Sequence, residues 1–317
     1  MSPHARLTLG LWLTLVALTS CSKDSTAPKV PAPFTTPNRF VLAWGTTGSG
    51  DGQFVSPQAL AVSSNGNIFV TDQGNHRVQR FTAGGAHVLH WGSLGSGVGE
   101  FDAMGGIALD VGGSVYVVDS GNHRVQMFNG LGVFTTQWGS NGTANGQFTN
   151  PRGIAIGNLQ RVYVTDASNR VQKFTADGTF LGQWGAIGSG SGQFNDPTGI
   201  AIDAGGNVYV AEAGNDRIQK FTSDGAFILK WGVGGTANGS FDNPSGVAVD
   251  AAGMIYVSDA GNHRIQMFTS EGAIIAAWGT PGAGNGQFQH PGGLALTGGT
   301  QLYVVDSDND RIEKFAP

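Results

Sequence analysis

The sequence predicts an all-β fold: a six-bladed β-propeller whose blades are four-stranded antiparallel sheets. One segment with an acidic residue, a short polar turn, an arginine and an apolar strand recurs six times, with its arginines 47, 46, 47, 47 and 47 residues apart. A fixed period of this length, built from strand-like pieces alone, is typical of a propeller or a solenoid. The six copies run Asp72–Phe81, Asp119–Phe128, Asp166–Phe174, Glu212–Phe221, Asp259–Phe268 and Asp306–Phe315.

Each repeat contains four predicted strands, as the copy that follows Pro197 illustrates. Residues 198–202 (TGIAI) are apolar, residues 207–212 (NVYVAE) are β-branched and aromatic, and residues 217–221 (RIQKF) alternate apolar with polar. Residues 226–232 (AFILKWG) form the fourth strand, and turns that contain glycine separate all four. Short turns between successive strands predict an antiparallel meander.

The position of each strand in the blade follows from its pattern. The first strand is apolar at nearly every position, as expected for a strand that is buried on both faces, so we place it innermost. The sixth copy ends without its fourth strand, whereas residues 40–45 (FVLAWG) match that strand near the other end of the chain. We therefore expect the N-terminal strand to complete the last blade and close the ring, which protects edge strands from aggregation.

These motifs resemble a known repeat. The pattern F-x-x-P-x-G-I-A-x-D followed by V-Y-V-x-D-x-G-N-H-R-I-Q-x-F is similar to the NHL repeat, and the resemblance covers about residues 40–317. It implies a six-bladed propeller that acts as an interaction module. The departures are mild: Ile or Val replaces Leu, Asp216 and Asp310 replace His, and Met104 replaces Pro.

The N-terminal segment predicts export and anchoring. Residues 1–20 have the features of a signal peptide, and Leu18-Thr19-Ser20-Cys21 resembles the lipobox of bacterial lipoproteins, which implies lipidation of Cys21. Residues 21–38 are rich in proline and predict an extended tether, and residues 39–317 form the propeller domain. We expect attachment to the cell envelope, at the outer membrane if the organism is Gram-negative; an ordinary cleavage site is the alternative.

Composition restricts the partners. Charged residues make up only 12% of the chain, and the formal net charge is -5. An acidic exported domain without a basic stripe has no general attraction to nucleic acid, so we expect no nucleic-acid partner. We expect a monomer.

Residues that recur in every copy are interpreted as builders of the blade, because one functional site does not need six copies. The acidic residue and the arginine bracket one tight turn, where a carboxylate can accept from the guanidinium and from turn amides. These twelve residues are Asp72, Arg77, Asp119, Arg124, Asp166, Arg170, Glu212, Arg217, Asp259, Arg264, Asp306 and Arg311.

Two recurring aromatic sets have the same interpretation. Six tryptophans either stack on sugars or, as we favour, seal each blade against the next. They are Trp44, Trp91, Trp138, Trp184, Trp231 and Trp278. Phenylalanines are expected to plug the space between blades; they are Phe54, Phe101, Phe148, Phe194, Phe241 and Phe288.

Metal binding is considered and not predicted. His76, His123 and His263 lie in equivalent turns of three blades, so they should not converge on one ion. The glycine-rich loops lack the regular Asp spacing of calcium repeats. We therefore assign no metal, no cofactor and no catalytic residue.

The positions that differ between copies indicate where a ligand binds. The residue near the start of the innermost strand should face the central channel at one mouth, and Arg152 is its one charged example. The six are Gln58, Gly105, Arg152, Thr198, Ser245 and Gly292, of which Gln58, Arg152, Thr198 and Ser245 are the candidate ligand-binding residues. The rim positions His76, His123, Asp216, His263 and Asp310 are expected nearby.

Two functions remain open at this point. The first is a non-enzymatic, lipid-anchored scaffold that presents one propeller face to a protein or glycan partner of the envelope. The alternative is an envelope lyase or hydrolase at the channel mouth, with Arg152 stabilising an anion. The absence of an acid, base or nucleophile unique to one blade favours the scaffold.

Overall fold

The computed structural model describes Met1, residues 39–297 and residues 301–316. These residues form six four-stranded antiparallel sheets, and in five of them the strands follow one another in space as they do in sequence. The predicted six-bladed β-propeller is therefore confirmed. The predicted signal peptide (1–20) and tether (21–38) lie outside the described residues, apart from Met1.

The strands are numbered along the chain, and each blade takes four of them. Strand β1 is Arg39–Trp44. Blade 1 holds β2 to β5: Pro57–Val62, Ile68–Asp72, Arg77–Phe81 and His87–Trp91. Blade 2 holds β6 to β9: Met104–Leu109, Val115–Asp119, Arg124–Phe128 and Phe134–Trp138. Blade 3 holds β10 to β13: Pro151–Ile156, Val162–Asp166, Arg170–Phe174 and Phe180–Trp184.

The second half of the ring repeats this arrangement. Blade 4 holds β14 to β17: Pro197–Ile202, Val208–Glu212, Arg217–Phe221 and Phe227–Trp231. Blade 5 holds β18 to β21: Pro244–Val249, Ile255–Asp259, Arg264–Phe268 and Ile274–Trp278. Blade 6 holds β22 to β24: Pro291–Thr297, Gln301–Asp306 and Arg311–Ala316. Single 3-10 turns span Gln73–Asn75, Asn158–Gln160, Ala213–Asn215 and Ser307–Asn309.

Strand β1 closes the ring. It pairs antiparallel with β24, with Phe40 opposite Phe315 and Trp44 opposite Ile312, so the N-terminal strand is the fourth strand of blade 6. The expected closure thus agrees with the sheet. Strand β24 thus has a partner on both sides, whereas an open ring would expose its outer edge.

The core lies between blades rather than within one. One cluster joins Tyr116 and Val125 of blade 2 to Val162 and Phe174 of blade 3, and equivalent clusters join the other neighbours. The six predicted phenylalanine plugs are fully buried; they are Phe54, Phe101, Phe148, Phe194, Phe241 and Phe288. A sheet with apolar side chains on both faces must be covered on both, and a ring of blades provides this.

The ring has two faces that the strand directions define. The first and third strands of a blade run away from the face that we call the upper face, and the second and fourth return to it. The upper face therefore carries the turn between the second and third strands and the glycine-rich loop that leads to the next blade. In the described part of the chain, no helix has the length and apolar character needed to span a membrane.

Candidate functional site

A cavity of about 460 Å³ lies where the six innermost strands meet. All six positions that the sequence places at the channel mouth line it: Gln58, Gly105, Arg152, Thr198, Ser245 and Gly292. Two residues further along each strand the wall becomes apolar, with Leu60, Ile107, Ile154, Ile200, Val247 and Leu294. The cavity thus has a polar mouth above an apolar floor.

The innermost strands approach one another closely at this mouth. A Cβ added at Gly153 would lie 2.3 Å from the carbonyl oxygen of Thr198, and one added at Gly199 would lie 2.5 Å from that of Ser245. Glycine is therefore required by the close approach of neighbouring backbones, which explains the P-x-G-I-A pattern of the repeats.

The hydroxyl groups at the mouth are used to join blades. Ser120 Oγ donates to the carbonyl of Pro151 at 2.5 Å, and Thr198 Oγ1 donates to that of Pro244 at 2.9 Å. Ser245 Oγ donates to the carbonyl of Pro291 at 2.7 Å. The protons of Ser120 and Ser245 are thereby committed to the neighbouring blade, and that of Thr198 is shared with the carbonyl of Ala211 in its own blade at 3.2 Å. The oxygen lone pairs remain available to accept from a ligand.

Arg152, the charged member of the ring, has a partner. Its Nη2 lies 2.8 Å from Oδ1 of Asp196, and its Nη1 donates to Oδ2 at 3.3 Å. Asp196 directly precedes β14 of the next blade, and both side chains are a little more than one-third exposed. Equivalent positions of the repeat do not reveal this counter-ion, because Arg152 and Asp196 are neighbours in space and not in the repeat pattern.

Four of the five rim residues join adjacent blades, whereas Nδ1 of the fifth, His76, is buried with no hydrogen-bond partner among the described residues. Asp216 Oδ1 accepts from the backbone N–H of Asn243 at 2.9 Å, and Asp310 Oδ1 accepts from that of Ser56 at 2.8 Å. Equivalent bonds are accepted by Nδ1 of His123 and of His263 from the N–H groups of Asn150 and His290. Oδ1 of Asn169 accepts one from the N–H of Asp196. Histidine, aspartate and asparagine each have an acceptor atom at a similar distance from the backbone, and each tolerates the left-handed conformation found here. They can therefore replace one another at this position.

The repeated acidic residue and arginine fix the glycine-rich loop. In blade 1, Arg77 Nε lies 2.8 Å from Asp72 Oδ2, and its Nη groups donate to the carbonyls of Ser49, Gly50 and Gln53. Asp72 Oδ1 accepts from the N–H of Val55 at 2.8 Å. The ion pair recurs as Asp119–Arg124, Asp166–Arg170, Glu212–Arg217, Asp259–Arg264 and Asp306–Arg311. This geometry supports a structural role for all twelve.

The tryptophans lie between blades. Trp44 of blade 6 contacts Phe81 of blade 1 and Tyr303 of its own blade, with ring centroids 6.0 and 6.1 Å apart. A Cβ on Gly85 of blade 1 would lie 2.8 Å from the Trp44 ring, so the next blade covers the indole face. The arrangement supports sealing between blades rather than sugar stacking.

A cluster that the sequence analysis did not name lies at the upper rim between blades 5 and 6. His290 Nδ1 lies 2.6 Å from Asp308 Oδ2, and the rings of His290 and His263 are 4.7 Å apart. His290 occupies the place that Asn150 and Asn243 take beside the cavity in other blades. The signal that could have identified it was the aspartate at 308, where four copies have glycine: Gly74, Gly121, Gly214 and Gly261.

The repeat turns do not bring His76, His123 and His263 together. Within residues 39–297 and 301–316, His76, His123 and His263 belong to no group of three metal-ligating side chains. Each lies in a different blade, as the repeat spacing requires.

Fold and repeats define the class of this protein as a closed six-bladed propeller. The family model of the NHL repeat matches residues 54–81, 105–128, 194–221 and 241–268. The chain therefore contains NHL repeats, within a six-bladed β-propeller, as its sequence motifs imply. A comparison with curated proteins finds no match.

Solved structures share the fold at low identity. A protein of unknown function from Bacteroides thetaiotaomicron is 17% identical with a TM-score of 0.66, over 86% of this chain and 74% of that one. Virginiamycin B lyase from Staphylococcus aureus is 15% identical with a TM-score of 0.61, over 89% and 100%. A gluconolactonase from Xanthomonas campestris is 13% identical with a TM-score of 0.64, over 89% and 98%. At such identities the likeness shows the fold alone.

Proposed function

We propose that this protein is a non-enzymatic binding scaffold of the cell envelope, which presents the channel mouth to a protein or glycan partner. The observation that carries the proposal is the chemistry of the cavity wall. Its polar side chains are amides, hydroxyls and one arginine, and no carboxylate, imidazole, thiol or amine is among the lining residues that the structure describes.

This wall suits reversible binding better than catalysis. General acid–base catalysis requires a titratable group within hydrogen-bond reach of the reacting atoms, and nucleophilic catalysis requires an activated hydroxyl, thiol or amine. The hydroxyls of Thr198 and Ser245 donate instead to backbone carbonyls. Amides and hydroxyl oxygens can orient the hydroxyl groups of a glycan or the backbone of a peptide, above an apolar floor.

In this proposal, Arg152 influences which ligands bind through its ion pair with Asp196. Its pairing with Asp196 neutralises the charge, so the mouth favours a neutral polar ligand over a free anion. The pair joins blades 3 and 4 beside the cavity, and it presents a polar edge to a ligand.

The test compares the full-length protein with a cavity variant and a matched control. Gln58→Ala with Arg152→Gln removes the amide of Gln58 and the guanidinium of Arg152 from the mouth, whereas Lys230→Gln removes one cation on the outer strand of blade 4. Tagged proteins are incubated with a detergent extract of the native envelope, and the affinity of any retained partner is measured after purification. We expect a stoichiometric partner with wild type and the Lys230 variant but not with the cavity variant. Equal retention by the cavity variant would refute the proposed site.

Membrane attachment through lipid on Cys21 is part of the proposal and rests on the lipobox-like sequence. Growth with a labelled fatty acid tests it directly. We expect label on the wild type and none after Cys21→Ser, with the variant released from the membrane fraction. Labelling of both proteins would place the lipid elsewhere.

A lyase or hydrolase is the second candidate, and one observation favours it. His290 and Asp308 form a His–carboxylate pair at the rim, an arrangement that can orient an imidazole as a general base. Two of the neighbours in fold are described as a lyase and a gluconolactonase, which adds only an analogy. Loss of a measured turnover on His290→Asn, with partner binding unchanged, would decide for the enzyme.

A further inference from the structure

Blade 1 contains a cluster of three metal-ligating side chains that no other blade repeats. Asp51 lies in the loop between β1 and β2, and His87 and His90 lie on β5. One ligand atom from each residue lies within 4.8 Å of the others. Equivalent positions have Val, Asn or Ser for Asp51, Phe or Ile for His87, and Gln, Lys or Ala for His90. Three coincident departures in one blade point to a local function rather than to the fold.

A β-bulge brings the two histidines to the same face of β5. Residues three apart on a regular strand point to opposite faces. Here His90 is opposite Gln79 and His87 is opposite Phe81, with Val88 left out of the register. Since Gln79 and Phe81 are two apart on β4, both histidines point to one side. The outer strands of the other blades have the same bulge, so the geometry belongs to the scaffold.

The spacing of the donor atoms fits one metal ion. His90 Nδ1 lies 3.1 Å from Oδ1 of Asp51, and His87 Nδ1 lies 3.6 Å from Oδ2. Ligand atoms of a tetrahedral zinc with bonds of about 2.0–2.1 Å are separated by roughly 3.3 Å, so each imidazole lies near this distance from one of the two oxygens of the Asp51 carboxylate. The longer separation exceeds the reach of a hydrogen bond.

His87 occupies an apolar site where other blades have phenylalanine or isoleucine. Its ring meets Phe81 edge-on at 5.7 Å, as Phe134 meets Phe128 in blade 2 at 6.0 Å. Its Nε2 is buried, with no hydrogen-bond partner among the described residues. An imidazole that binds a metal through Nδ1 carries its proton on Nε2, and an unpaired buried N–H costs free energy relative to phenylalanine, so the metal bond at Nδ1 has to offset that cost.

His90 does not make the contact that glutamine makes at the equivalent position of two other blades. Gln137 and Gln183 accept from Nη1 of Arg124 and Arg170 at 3.0 and 2.7 Å. His90 contacts Asp51 instead. The loop beneath is fixed on both sides of Asp51, because Arg77 holds the carbonyl of Gly50 and Gln79 accepts from the N–H of Gly52. The carboxylate is thus presented from a preorganised backbone.

We propose that Asp51, His87 and His90 bind a Zn²⁺ ion. Two imidazoles and one carboxylate suit zinc and other late first-row metals rather than calcium or magnesium, which prefer oxygen ligands. Three protein ligands leave a fourth position, which faces solvent because the Asp51 side chain is 63% exposed and that of His90 44%. The ion joins the loop that follows the ring-closing strand to the outer strand of blade 1.

The repeats themselves supply conservative test variants. Asp51→Asn copies Asn145 and Asn238, His87→Phe copies Phe134 and Phe180, and His90→Gln copies Gln137 and Gln183. The control His76→Asp copies Asp216 and Asp310 in a different turn. Metal-free, full-length protein with a tag that lacks histidine is titrated with Zn²⁺ by calorimetry, and folding of each variant is checked by circular dichroism.

The expected result is one Zn²⁺ per chain at this site in the wild type and in the His76 variant. Each ligand variant should fold and bind more than about 100-fold more weakly, a larger loss than changes around a metal site usually cause. X-ray absorption should show only nitrogen and oxygen neighbours at about 2.0–2.1 Å. Unchanged affinity in the three variants, no binding by wild type, or a sulfur neighbour at about 2.3 Å, which would indicate Cys21, overturns the proposal.

Discussion

Glu313 Oε1 lies 2.9 Å from Nη2 of Arg311, inside the blade and fully buried. The other five blades have glutamine at this position: Gln79, Gln126, Gln172, Gln219 and Gln266. In blade 5, Gln266 Nε2 donates to Asp259 and to the carbonyl of Ser240. An ionised Glu313 cannot donate to the equivalent acceptors, and it lies beside a second buried carboxylate, that of Asp306.

This substitution predicts a pH-dependent stability. Burial raises the pKa of Glu313 to about 7, Arg311 opposes the rise, and Asp306 adds to it. Between the ordinary value of 4.5 and this value, the folded state binds more protons than the unfolded state. The carboxyl's contribution to stability is therefore complete below pH 4.5 and is lost as the pH rises through 7.

Glu313→Gln should remove this dependence. We expect the variant to be more stable than wild type by about 2–3 kcal/mol at pH 8 and by much less at pH 5. Denaturant unfolding at the two pH values measures the difference. Gln266→Glu is the matched control, which should introduce the same dependence into blade 5. Equal gains at both pH values would show that ionisation of Glu313 is not the cause.

Asp310 is predicted to stabilise the junction between blades 6 and 1. Its Oδ2 accepts from Thr47 Oγ1 at 2.6 Å and its Oδ1 from the N–H of Ser56 at 2.8 Å. Asp310→Ala removes both bonds and places alanine at φ 51°, so we expect a loss of about 1–3 kcal/mol in the free energy of unfolding. Asp310→Asn retains an acceptor and tolerates this backbone, so it should lose clearly less. If the two variants unfold alike, the bonds do not contribute.

Arg152 and Asp196 should contribute little to stability. Their side chains are 37% and 39% exposed, and ion pairs in such positions are worth less than about 1 kcal/mol. A double-mutant cycle with Arg152→Ala and Asp196→Ala, followed by denaturant unfolding, measures the coupling. A coupling above about 2 kcal/mol would mean that the pair builds the ring and would weaken its assignment to the binding site.

The apolar face of β1 should control the association state. Phe40 packs edge-on against Phe315 at 6.1 Å, and Trp44 packs against Phe81. Phe40→Asp combined with Trp44→Asp should release β1, expose the edge of β24 and produce oligomers in size-exclusion chromatography. Val41, 40% exposed and outside the register, offers the control Val41→Asp. Oligomers from the control alone, or from neither protein, would contradict the role of β1.

The repeat made much of the fold predictable. Residues that serve every blade, such as Asp72 and Arg77, recur at fixed spacing, and their contacts follow from the turn they bracket. The channel mouth was also predictable, because Gln58 and Arg152 begin innermost strands that must meet at the axis. Positions within one blade are close in sequence, so a pattern of residue types carries the information.

Pairs that join different segments were not predictable in this way. Arg152 and Asp196 are 44 residues apart, and His290 and Asp308 belong to different turns. Comparison of equivalent positions shows each as an isolated departure from the repeat. The contact of Arg152 with Asp196 depends on how neighbouring blades are rotated, and that of His290 with Asp308 depends on the paths of two turns of blade 6. No local propensity determines either.

The sequence by itself determined the blade count, the four strands of each blade and the strand that closes the ring, because strand patterns and turns are local and recur with one period. Only the tertiary structure determined which of the residues that differ from the repeat pattern lie in contact with one another. The bulge at Val88 reverses the alternation that would separate His87 from His90, and the loop fixed by Arg77 brings Asp51 against them. A bulge and a loop path depend on packing against neighbouring strands, so the cluster exists only in the folded ring.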